Sequence, residues 1–286
     1  MIPNDAASPD DALTTSLASD EPPTDLSTFD TGVAHPARVY DYWLGGKDNF
    51  AADREAAERV IAARPTIVRD IRANREVMHR AVAYLADEVG IRQFLDIGTG
   101  IPTSPNVHEI AQDIAPESRV VYADNDPIVL AYARALLEST PEGATAYVDA
   151  DLRESGTIMA EAAKTLDFRQ PVALLLVGVL HLINDQEDPY GMVAELMQPL
   201  AAGSYLVLTH PASDVHAEVA AAGAQHYNAA VATAQTRRSR ADVARLLRGL
   251  EIVEPGIVQF HRWHPEPGLD VDSYEVSGWA AVARKP

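Results

Sequence analysis

Three acidic residues, Asp96, Asp124 and Asp151, stand at or just beyond the ends of short apolar runs, and the first is followed at once by a glycine turn, "DIGTGIP". The longer stretch "FLDIGTGIPTSPNVHEI", Phe94 to Ile110, reads as a buried strand, that turn and the start of a helix. Two kinds of ligand fit such a turn, the phosphates of a dinucleotide and the amino-acid end of S-adenosylmethionine (SAM), and their electrostatic demands are opposite. The dinucleotide fingerprint G-x-G-x-x-G is incomplete: Gly98 and Gly100 are present, but Thr103 holds the third place and Pro102 intervenes. Asp96 is the more telling residue. A carboxylate beside a pyrophosphate costs on the order of 4 kcal/mol per charge pair at ~4 Å and an effective dielectric of about 20. Beside the ammonium and sulfonium of SAM the same charge is favourable.

Further along, Asp124 ends the second apolar run, where an acid can accept hydrogen bonds from both hydroxyls of a ribose, a feature common to NAD-binding and SAM-binding folds. The third run leads into "VDADLRES", which offers Asp151 as an acceptor for an adenine amino group and the Leu152 N–H as a donor to the ring; Asp149 is close enough to take the place of Asp151. Gly178 ends the fourth run, "LLVG", where a missing side chain lets a ligand come close to the backbone.

These residues need a frame. From Ile91 onward, apolar runs at "RQFLDI", "RVVYAD", "ATAYVD", "PVALLLV", "SYLVLTH" and "GIVQF" alternate with helix-like stretches such as "DPIVLAYARALLES". The alternation predicts a parallel sheet covered on both faces, and the closing run "SYEVSGWAAVARK", with no helix after it, predicts an added antiparallel strand. Ser104-Pro105 and Asp126-Pro127 each place a capping side chain before a proline at a first helical position, and "SRAD" from Ser239 reads as a capping box. Residues 1–30, rich in Asp, Ser, Thr, Pro and Ala, predict a disordered tail. Residues 31–90 predict a helical cap in which Ile67, Ile71, Val77, Met78, Ala81 and Leu85 recur at helical spacings. Residues 91–286 predict the ligand-binding domain, with a helical insertion at about 211–238.

Composition narrows the chemistry. The 286 residues carry 23 basic against 42 acidic side chains, a formal charge of −19, which repels a polyanion over most of the surface and disfavours nucleic acid as a partner. Zero cysteine removes disulfides, thiolate nucleophiles and Cys-based metal sites. No apolar run is long enough for a membrane span and the N-terminus is acidic where a secretory signal would be basic, so a cytoplasmic protein is expected.

In order and spacing, "FLDIGTGIP", "VVYADNDPIVL", "VDADLRES" and "GVLHLI" resemble the successive motifs of class I SAM-dependent methyltransferases, and "ARVYDYWLGGKDNFAADR" resembles the opening signature of one actinobacterial family of them, long catalogued as a domain of unknown function. "GSYLVLTHP" and "VEPGIV" with "RWHPE" are similar to its later blocks. The resemblance implies a Rossmann-like seven-stranded sheet, mostly parallel with the last strand antiparallel, and SAM lying across the carboxyl ends of the first strands, leaving S-adenosylhomocysteine (SAH) as product. By position it puts Asp96, Gly98, Thr99 and Gly100 around the methionine end, Asp124 on the ribose, Asn125 beside the adenine, and Asp151 with Leu152 on its edge.

The aromatic and glycine cluster around Tyr42, Trp43, Gly45 and Gly46 has two readings: packing of the cap onto the sheet, or a lid from which Tyr42, Lys47 or Asn49 reaches the cofactor. His181, after the fourth strand, is the candidate general base, its rival reading being a histidine hydrogen-bonded within a loop; in-line methyl transfer needs alignment more than a base. His261 and His264 lack a third ligand, so no metal is expected. The insertion carries His216, His226, Tyr227, Arg237 and Arg238; with the cap it would roof the site and favour a small-molecule acceptor, while its alanine face would equally suit a homodimer interface. Methyl transfer to a small molecule is the leading expectation. The alternative is a non-catalytic SAM-binding protein that senses or sequesters the cofactor, and an NAD-dependent oxidoreductase is disfavoured by Asp96 and the missing third glycine.

Overall fold

In the computed structural model the described residues are 31–136, 138–229, 231 and 233–286; the tail expected over residues 1–30 lies outside them. In chain order the elements are α1 (Pro36–Leu44), α2 (Ala51–Ala63), α3 (Ile67–Asp87), β1 (Gln93–Ile97), α4 (Val107–Ile114), β2 (Arg119–Asp124), α5 (Pro127–Leu136), β3 (Ala144–Asp149), α6 (Ser155–Ala162), β4 (Ala173–Val177), α7 (Pro189–Met197), β5 (Tyr205–Pro211), α8 (Ala217–Asn228), α9 (Arg240–Leu246), β6 (Glu251–Ile252), β7 (Val258–Gln259) and β8 (Gly278–Arg284).

One sheet runs β3-β2-β1-β4-β5-β8-β6, with β7 also paired to β8. Strands β1 to β5 are parallel, and β8 runs antiparallel to β5, β6 and β7. The mostly parallel sheet with an antiparallel last strand is thus present. Its count is eight because the sixth strand is interrupted: β6 and β7 pair with opposite ends of β8, Glu251 with Arg284 and Gln259 with Trp279, and the chain between them leaves the ladder. The antiparallel strand is also shorter than the run "SYEVSGWAAVARK" suggested, since regular pairing begins only at Gly278.

The central strands β1, β4 and β5 are buried along almost their whole length because both faces of the sheet are covered there. In β4, Leu174 and Leu176 point into a core with α6, α7 and α9, while Ala173 and Leu175 point into a second core with α3 and α4. Helix α3 supplies Val77, Met78, Ala81, Val82 and Leu85 to that second core, so most of its apolar stripe lies on the sheet. A third, smaller core joins α1 and α2 to α8: Val39, Trp43, Ala57, Val60 and Ile67 close around Tyr227, whose ring lies 6.1 Å from that of Trp43.

Capping chemistry agrees with the sequence at two of three sites. Asp126 accepts from the Ile128 N–H at 2.9 Å at the start of α5, and Ser239 with Asp242 forms the capping box of α9. Ser104 is a correction. The cap of α4 is Asn106, two residues later, because Glu109 returns a carboxylate to the Asn106 N–H while Ser104 only donates to that carboxylate at 3.1 Å.

Candidate active site

The carboxyl ends of the strands line one long cavity under α1, α3 and α8, centred where the order switches between β1 and β4. At its β1–β3 end lie Asp96, Gly98, Thr99, Gly100, Asp124, Asn125, Asp151 and Leu152, with Gly178 at the end of β4. The glycine turn is bent back on β2: Gly98 N–H donates to Ala123 O at 2.8 Å and Gly100 N–H to Asp124 Oδ2 at 2.9 Å. Gly98 has φ +74°, and a Cβ there would come within 2.3 Å of Val179, so the turn tolerates no side chain. Gly100, at φ +68°, faces open space instead.

Asp96 is 8% exposed. Burial pushes its carboxyl up to about 7, against the pull of Arg75, with the neighbouring Asp124 adding to the rise. Arg75 reaches from α3 over the turn, donating to Thr103 O and, at 2.9 Å, to Pro105 O, while its buried Nε has no acceptor. A half-compensated carboxylate and an orphan guanidinium donor at the mouth of an open glycine turn fit the ammonium and carboxylate of an amino acid. They do not fit a pyrophosphate, which would meet Asp96. Asp124 is also raised by burial, while holding the N–H groups of Gly100 and Asp126. Asp151 takes the Asn125 amide at 2.6 Å and the Arg153 N–H at 2.9 Å.

The cap contributes different residues from those expected. Tyr42 donates to Glu58 on α2, Lys47 is exposed, and Asn49 donates to Asp41 Oδ2 at 2.8 Å and to Gly46 O at 3.0 Å; none of the three lines the cavity. The physical reason is Asp41, buried in α1, which gathers the turn around itself through Asn49 and the Asp48 N–H at 3.0 Å. The inward face of α1 instead presents Tyr40 and Trp43, and His35 at its start meets Asp126 at 2.9 Å beside the Asp124 end.

Past β4 the lining changes character. His181 sits here, half-buried, its Nδ1 without a partner; burial first, then Arg237 and Arg238, push the imidazole down to about 3. It is therefore neutral, a hydrogen-bond acceptor and a poor store for a proton. His210 is neutral too and does not line the cavity: Arg238 donates to its Nε2 at 2.9 Å, which leaves Nδ1–H to donate to Pro211 O at 3.1 Å. Arg238 spends its remaining donors on Leu180 O, Ile183 O and Asp185, clamping the loop that carries His181. Nearby, Arg64 pairs with Asp70, and both line the cavity with Arg237, Tyr227 and Asn74. His261 stacks on Tyr274 at 4.5 Å and His264 on Trp263 at 4.2 Å, and among the described residues no group of three or more His, Asp or Glu could hold a metal ion.

Arg75, Asn74 and Asp70 were missed in the sequence, although a signal existed. With Ile67, Ile71 and Met78 they share the cavity-facing stripe of α3, and polar residues interrupting an otherwise apolar stripe mark a wetted face.

A parallel α/β sheet with this acid-lined glycine turn at the end of its first strand is the frame of a SAM-dependent methyltransferase. The sequence model of the S-adenosyl methyltransferase family matches residues 23–286, and the chain belongs to that family. It is 48% identical to a DUF574 family protein from Streptomyces avermitilis MA-4680, whose crystal structure superposes with a TM-score of 0.87 over 90% of this chain and 99% of the other. A candidate methyltransferase from Thermobifida fusca YX is 37% identical, with a TM-score of 0.83 over 90% and 96%. An O-methyltransferase family protein from Burkholderia thailandensis, 13% identical, shares the fold alone, with a TM-score of 0.50 over 80% of this chain and 62% of its own. A comparison with curated proteins finds no match.

Proposed function

We propose that the chain transfers the SAM methyl group to a small molecule held between β4, β5 and the roof made by α1, α2 and α8. The observation that carries this reading is the division of one covered cavity into an acid-lined half at β1–β3 and a second half past Gly178 with its own polar groups. Bound SAM supplies an electrophilic methyl group. In this reading Asp96 takes its ammonium, Arg75 its carboxylate, Asp124 the ribose hydroxyls, and Asp151 with the Leu152 N–H the adenine edge, with Asn125 flanking it. Gly178 leaves room for the ligand at the junction of the two halves. His181 is a neutral acceptor that orients a hydroxyl or amine of the acceptor by hydrogen bonding, and the roof excludes water and fixes the line of attack. A roof of packed helices favours a compact acceptor over an extended protein tail.

Calorimetric titration with SAM, SAH and NAD tests the cofactor half directly. Micromolar binding of SAM and SAH without NAD is expected; binding of NAD alone would overturn the reading. A screen of small acceptors on the SAM-loaded protein tests the other half.

A further inference from the structure

The charge of the cavity reverses along its length. At β1–β3 the lining carries Asp96, Asp124 and Asp151 against Arg75 and Arg153, while at the β5 and β8 end it carries Arg64 and Arg237 against Asp70 alone. Arg64 and Asp70 are an ion pair, both buried, so Arg237 leaves this end with one uncompensated positive charge in a chain whose net charge is −19. The guanidinium is fixed from behind: Nε donates to Ala212 O at 2.8 Å and Nη2 to Ser277 Oγ at 2.9 Å. Among the described residues Nη1 meets no acceptor, and Asp70, the nearby carboxylate that acts on Arg237 through space, is already paired with Arg64. Burial and the nearby Arg64 push the group down to about 9, Asp70 opposing, which is the behaviour of a cation short of a partner.

A fixed, half-buried guanidinium with one free edge, aimed into a cavity walled by Trp43, Tyr227 and Ile67, is a site for an anionic group on an apolar body. We infer that the methyl acceptor is a small carboxylic acid with an apolar or aromatic body, its carboxylate on Arg237. One uncompensated cation matches one negative charge; a phosphate dianion would leave an excess charge buried. The inference rests on the proposed division of the cavity, since the acidic half must belong to the cofactor for the basic half to be free.

The test uses the full chain loaded with SAH and titrates benzoate, 4-hydroxyphenylacetate, the two corresponding amides and phenyl phosphate. Both acids should bind at least tenfold more tightly than their amides and more tightly than phenyl phosphate. Arg237→Gln should abolish the preference for acid over amide with SAH affinity unchanged, and Arg237→Lys should keep part of it. Equal affinity for acid and amide, no binding of either acid, tighter binding of phenyl phosphate, or a preference that survives Arg237→Gln would each overturn the assignment. If Arg237→Gln also loses SAH, the lysine variant decides, and equal affinity for acid and amide there overturns it. Failure of the wild-type protein to bind SAH would instead bring down the cofactor reading, so the two failures are distinguishable.

Discussion

If Asp96 takes the SAM ammonium as proposed, it is where folding and function pull in opposite directions. A buried carboxylate whose folded pKa is about 7 holds its proton more firmly in the native state than in the unfolded chain, where the usual value is about 3.9. Between those values the native state binds more protons, so the contribution of this group to stability falls as pH rises from about 4 to 7 and stays lost above. The shift corresponds to at most about 4 kcal/mol at pH 8. Asp96→Asn should therefore raise the urea midpoint of the ligand-free protein at pH 8, with a smaller gain at pH 5, while abolishing SAM binding in calorimetry. A variant no more stable than wild type at pH 8 would show that Asp96 is already compensated in the free protein. The same proton opposes the cofactor: because only the carboxylate attracts an ammonium, SAM affinity should weaken about tenfold between pH 8 and pH 6 in wild type. A flat profile would place the ammonium elsewhere.

At the scale of elements, the turn after α1 is the clearest test of what the cap does. Gly46 lies against the buried Asp41, and a Cβ there would stand 2.0 Å from Oδ1. Gly46→Val must displace that carboxylate and the turn around it, at roughly 1–3 kcal/mol by analogy with overpacked cores. The melting temperature of the ligand-free protein should fall, and SAM affinity should fall only as far as folding does. Loss of binding with an unchanged melting temperature would restore the lid reading. The strands that lead into the site at Asp96, Asp124 and Gly178 were legible because a doubly covered sheet writes them as plain apolar runs bounded by turns. The interrupted sixth strand was not: two pairs of residues are too short to leave a periodicity, and only pairing with β8 makes them strands. The cap residues facing the cavity were hidden for a different reason. Which side of α1 points inward is set by Asp41 and by the meeting of Trp43 with Tyr227, far apart along the chain, and no local spacing records that. Arg237 was visible as a residue of the insertion, but its difference from Arg238 lies in which carbonyls and acceptors surround each guanidinium.

Over the whole molecule, the acid-lined half of the cavity belongs to the sheet and the roof to a separate small core. Helix α8 is fastened to the cap by the Tyr227 cluster and by a bridge between Ala34 and Val231, and α3 spans both cores, carrying Ile67 in one and Val77 to Leu85 in the other. Arg75 and Asn74 lie on α3 between them, so a ligand gripped by Arg75 ties the roof to the sheet. Ligand binding should then stabilise both parts together. At a concentration of SAH one hundred times its dissociation constant, mass action contributes about 2.7 kcal/mol, which for a chain of this size is a rise in melting temperature of roughly 4–5 °C. With SAH held at the concentration that is one hundred times its pH 8 dissociation constant, the rise should be smaller at pH 6, because the proton on Asp96 must leave first. Hydrogen exchange locates the effect: amides of α1 and α8 should slow along with those of the glycine turn, while β6, at the edge of the sheet and not lining the cavity, should not change. Slowing confined to the glycine turn would mean that the roof is indifferent to the cofactor and that closing the cavity depends on the acceptor instead.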